Sequence, residues 1–141
     1  MGMRKLFYII SLTLLTGLGA NAQVKSFKDI IGKWEIVGQG MNGASLEVID
    51  SNRIYLTYGG EKKDVFDAVL NTKKSPAWFD FKIRDSTEVL QVKTLIHVYS
   101  DGVMKWQLFI EDERPEFFTS NKGEMMYLKK LSSGTSVAGT Q

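Results

Sequence analysis

"FKDIIGKWEIV", residues 27–37, changes its hydrophobic period halfway along, and that change decides the fold. In the first half Phe27, Ile30 and Ile31 share one face of a helical turn. Ser26 stands where an N-cap belongs, and Asp29 follows three residues later, in the first turn, where a carboxylate is favoured. Gly32 ends the turn, because glycine enters the left-handed backbone region without steric cost. From Trp34 the period is two. Trp34 and Ile36 fall on one side and Glu35 on the other, as in a half-buried strand.

That period persists through the rest of the chain. "SLEVI" sets Leu46 and Val48 against Glu47, and "RIYLTY" puts Ile54, Leu56 and Tyr58 on one side. "DVFDAVL" sets Phe66, Ala68 and Leu70 against Asp67, and "AWFDFKI" sets Phe79, Phe81 and Ile83 against Asp80 and Lys82. The longest run is "VLQVKTLIHVYS", residues 89–100, and the Asp101-Gly102 after it is the strongest hairpin signal in the chain. "VMKWQLFIE" returns with Met104, Trp106, Leu108 and Ile110 on one face. Two short pieces, "EFFTS" and "MMYLKKL", follow, joined through Asn121-Lys122-Gly123. Asp50-Ser51-Asn52 and Gly59-Gly60 are turns, and Pro76 and Pro115 fall between strands. Eight or nine short strands with one helical turn predict an all-β, antiparallel up-and-down barrel, because closure removes exposed sheet edges.

Residues 1–22 read as a signal peptide. Arg4 and Lys5 precede an apolar run, residues 6–19, that is too short to span a bilayer. Ala20-Asn21-Ala22 then offers a small-x-small cleavage site before Gln23. The expectation is a secreted or periplasmic protein, cleaved near Ala22-Gln23, that meets the membrane only through this leader. The chain has no cysteine, so it is not a lipoprotein and carries no disulfide. Cleaving 22 of the 141 residues leaves 119, enough for one domain, expected over residues 26–131. Residues 132–141 are small and polar and read as a disordered tail. The leader holds two of the 18 basic residues and none of the 16 acidic ones, leaving 16 of each. That balance excludes the basic stripe a nucleic-acid binder needs.

The stretch Gly32-Lys33-Trp34, after a helical turn and at the head of the first strand, resembles the Gly-x-Trp motif that opens lipocalins and calycins. "VYSDGVMKWQL", "ERPEFF" and the closing "MYLKKL" extend the likeness. Together they resemble a family of small, mostly uncharacterised lipocalin-like secreted bacterial domains, frequent in planctomycetes. Glu113, Arg114, Pro115 and Phe118 match that family's Glu-Arg-Pro-x-x-Phe motif, and Leu128, Lys129 and Lys130 approximate its ending. The chain departs from the family at His97-Val98-Tyr99, where Gly-Ile-Tyr is common, and at a final lysine in place of arginine. The resemblance implies a barrel whose closed end is covered by Trp34, with a basic side chain from the last strand over the indole. Lys130 shares a face with Met126 and Leu128 and is the first candidate, with Lys129 the second. It implies no shared activity.

Candidate chemistry is sparse. His97 is the sole histidine and has no nucleophile motif beside it, so it reads as an outward residue sharing a face with Lys93, Leu95 and Tyr99. Asp67 and Asp80 read as solvated carboxylates near Lys82 and Lys63. Glu111, Asp112, Glu113 and Glu116 lack the spacing of a calcium loop. "GQGMNG" lacks the lysine of a phosphate loop. Arg114, held extended by Pro115, is expected to fold back onto loop carbonyls in a structural role. No catalytic residue, metal site or cofactor is expected.

Two functions fit this pattern. The first is non-enzymatic binding of a small apolar ligand, with Tyr58, Phe66, Phe79, Phe81, Trp106 and Leu108 as lumen residues and the polar handles of Tyr58 and Trp106 orienting the guest. The second is an envelope structural or protein-interaction module with a side-chain-filled barrel. For it, Tyr55, Trp78 and Phe109 on the outward parity supply the contact aromatics.

Overall fold

The structure, a computed structural model, describes residues 24–38, 44–110 and 112–132. The leader, residues 1–22, and positions 133–141 of the tail lie outside the described residues. A short 3-10 turn, Phe27–Ile30, precedes eight strands: β1 (Gly32–Val37), β2 (Ser45–Asp50), β3 (Arg53–Tyr58), β4 (Glu61–Asn71), β5 (Ala77–Asp85), β6 (Glu88–Val98), β7 (Val103–Phe109) and β8 (Glu124–Lys130). Each strand pairs antiparallel with the next, and β8 returns to β1, so the sheet closes on itself as a lipocalin-like barrel. The β1–β8 register sets Trp34 opposite Lys130 and Ile36 opposite Leu128.

The 3-10 turn is capped as its sequence requires. Ser26 Oγ accepts from the Lys28 N–H, and Asp29 Oδ2 accepts from the N–H groups of Ser26 and Lys25. Ile30 is fully buried, Phe27 packs on the core and Ile31 stays on the surface. The turn ends at Ile31 in extended conformation, and Gly32 is already the first residue of β1. Val24, expected in a loose lead-in, is buried.

Three expectations are corrected. "EFFTS" is not a strand, and residues 112–123 form an irregular strap. Its order comes from side chains rather than a ladder. The Gln107 amide donates to the carbonyls of Thr119 (2.5 Å) and Lys122 (2.7 Å) and accepts from the Thr119 N–H. Phe66 does not face the lumen. The register of β4 shifts between Phe66 and Val69, with Asp67 at a φ of 50°, so Val65 points inward opposite Ile83 while Phe66 pairs with Lys82. Phe109 is not an exposed contact residue. On the outer face of β7 it is completely buried, as is Leu95 on β6.

Arg114 holds the strap to the wall. Its guanidinium stacks 3.7 Å from the centre of the Trp78 ring, pairs with the Asp80 carboxylate and donates to the Thr94 carbonyl. The acceptors lie on β5 and β6 rather than on the loop carbonyls expected. Asp80 is correspondingly an anchor rather than a solvated carboxylate, whereas Asp67 pairs with Lys82 on the surface.

Candidate functional site

The two ends of the barrel differ. At one end the Trp34 indole is 1% exposed and donates from Nε1 to the Ile30 carbonyl at 2.9 Å. The Lys130 ammonium lies 5.6 Å from the centre of that ring. The lysine stem passes close over Gly32, where a Cβ would stand 2.8 Å from Lys130 Cε. Phe27 meets the Phe79 ring edge-on at 6.1 Å, which extends the plug inward.

Above the plug the rings of Phe79, Phe81 and Trp106 pack together, with centroids 5.2–6.4 Å apart. Trp106 Nε1 donates to Thr94 Oγ1 at 2.9 Å, and that hydroxyl donates to the Phe79 carbonyl at 2.6 Å. Thr94 is fully buried, and this short chain satisfies the polar side-chain atoms at the barrel centre. The polar handle of Trp106 is therefore used internally and is not offered to a guest.

Beyond those rings lies a cavity of about 330 Å³. Phe81 and Trp106 form its floor. Ile36, Leu56, Ile83, Leu90, Val92, Leu108 and Met126 make its wall, and Thr57, Tyr58, Asp85, Ile110 and Glu124 stand at its rim. Of the six expected lumen residues, Tyr58, Phe81, Trp106 and Leu108 line this space. Phe79 is fully buried beneath it, and Phe66 stands outside the wall against Arg84. Leu90, Val92 and Met126 were missed. Leu90 and Val92 lie on β6 with the parity opposite to Lys93, Leu95 and His97, so the outward reading of His97 already implied their inward position. Two wider hollows lie on the outer surface. One is beside Lys62, Phe66 and Arg84, and the other beside Lys33, Asp101 and Lys130. Both are open to solvent and lined largely by charged or turn residues.

On the outer wall His97 packs edge-on against Tyr99, with centroids 4.6 Å apart, and pairs in register with Lys105. Burial, together with the Lys105 charge, holds its imidazole below the usual histidine range. No cluster of three or more His, Cys, Asp or Glu residues suited to a metal occurs among the described residues. The outward aromatics expected to form an interaction face are occupied within the molecule. Trp78 is met by the Lys74 ammonium and the Arg114 guanidinium, and the Lys62 ammonium lies over the Tyr55 ring.

No protein-family model matches the chain, and neither a curated protein nor a solved structure shows significant similarity to it.

Proposed function

We propose that this chain is an exported, non-enzymatic barrel that binds one small, mainly apolar ligand at the end opposite Trp34. The observation that carries the reading is the cavity above Trp106, walled by aliphatic side chains and polar only at its rim. Ligand sites typically enclose about 300–1,000 Å³, so a space near the lower limit suits a single small guest. Each methylene moved from water to such a wall contributes roughly 0.8 kcal/mol. The signal-like leader and the likeness to secreted lipocalin-like domains support export. The alternative, an envelope interaction module acting through its outer aromatics, is less well supported, because Phe109 and Trp78 are covered by the strap.

Calorimetric titration with decanol tests the reading. Saturable binding is expected, and Leu108→Trp, which fills the cavity from its wall, is expected to abolish it while the circular dichroism of the barrel is retained. A folded wild-type protein that takes up no decanol would overturn the proposal.

A further inference from the structure

Acidic side chains outnumber basic ones at the rim of the cavity. Asp85 and Glu124 line it. The register turns Glu124 toward the same side as the wall residue Leu108. Lys63 comes to the rim on β4, opposite Leu56, and its ammonium is already engaged. It lies 3.4 Å from the Glu61 carboxylate and 3.7 Å from Asp85, and it donates to the Arg84 carbonyl at 3.5 Å. Its charge is thus shared between two carboxylates, and one hydrogen bond goes to a backbone carbonyl. Burial alone would lower the Lys63 pKa, but Glu61, Tyr58 and Asp85 outweigh it and raise the value above the usual lysine range. Glu124 makes no ion pair among the described residues. Nor is there a basic residue in the sequence between β1 and β2, residues 38–44.

From this arrangement we infer that the ligand is an amphiphilic cation, with an apolar body on Phe81 and Trp106 and a protonated amine or quaternary ammonium held at the rim by Glu124. The inference rests on the binding function proposed above and specifies its ligand class. A guest seated with its head at the rim meets Glu124, which makes no ion pair among the described residues, and Asp85, which shares the Lys63 charge with Glu61. A fatty-acid carboxylate placed there is repelled, a neutral alcohol is tolerated and an ammonium is attracted. The Tyr58 ring at the rim already has the Lys63 ammonium over it, 5.7 Å from its centre, so the selection between heads falls to Glu124. Burial of the chain supplies most of the affinity, and the rim decides between head groups.

Decylamine, decanol and decanoate share one chain and differ in the head, so they separate these contributions. Calorimetry at low salt and neutral pH is expected to rank the amine first, about fivefold tighter than the alcohol, the scale of a solvent-exposed ion pair. Decanoate is expected to bind weakest. The amine's advantage should shrink as salt approaches 1 M, where the screening length falls to about 3 Å. In Glu124→Gln the amine and the alcohol are expected to bind alike. If the alcohol or decanoate binds as tightly as the amine, the inference is overturned while the apolar binding site stands. An amine preference that survives Glu124→Gln overturns the role given to Glu124. If none of the three binds, the binding function and this inference fall together.

Discussion

Two glycines show how a single position constrains this barrel. Gly32 has a φ of 135°, a conformation that side-chain-bearing residues rarely adopt, and its close neighbour is the far end of the Lys130 side chain. That flexible end can move aside, so backbone strain is the dominant cost of a side chain there. Gly32→Ala is therefore expected to destabilise the protein by about 1–3 kcal/mol. Adding Lys130→Ala should recover little of that loss in a denaturant melt. Full recovery in the double variant would show that crowding, not strain, requires the glycine. Gly123 is the reverse case. Its φ of 65° is one that non-glycine residues can reach, but a Cβ would run into the Leu108 carbonyl and the Phe109 ring, neither of which can move freely.

At the scale of elements, the strap over β5, β6 and β7 gives the barrel a second, outer core. Leu95 and Phe109 are completely buried on the outer face, and Arg114 is the bolt between strap and wall. Its side chain is 8% exposed, against 27% for its partner Asp80. Removing one member of a buried ion pair strands the other, at about 3–5 kcal/mol when burial is complete. Asp80 retains some solvent, so Arg114→Ala is expected to cost nearer 2–3 kcal/mol in thermal or denaturant unfolding. A change below about 0.5 kcal/mol, the range of ordinary surface substitutions, would show that the strap is not held this way.

The strands with a polar face were legible from alternation alone. β3 and β5 carry their apolar residues at every second position, and the structure leaves them as read. Legibility failed where a local event altered the period. The bulge in β4 reversed Phe66, and it shows in the register shift against β5 and the positive φ of Asp67. It failed again where a non-strand segment covered the outside of the sheet. Phe109 sits on the polar parity of β7, and nothing in its own strand announces that residues 112–123 will cover it. The candidate site inherited both limits. Its floor was identified through Phe81 and Trp106, but its acidic rim depends on where β5 ends and β8 begins, which alternation leaves undefined.

On the scale of the whole molecule, the barrel has a sealed end and an open one. The 3-10 turn, Trp34 and Lys130 close the first, and the rings of Phe79, Phe81 and Trp106 divide it from the second. The polar atoms at the centre are satisfied, since Thr94 takes the Trp106 N–H and gives its own proton to Phe79. What remains above those rings is the unfilled volume on which the functional account depends. The methionines report on it directly. Met126 lines the cavity, Met125 is the adjacent residue on the opposite face, and Met104 is fully buried opposite Leu128 in the neighbouring strand. The decisive measurement is NMR on protein labelled at its methionine methyl groups and saturated with decanol. The account requires intermolecular contacts from the ligand chain to the Met126 methyl and none to Met125. Ligand contacts at Met125 without Met126, or saturation with no contact at Met126, would place the guest outside the barrel and contradict it.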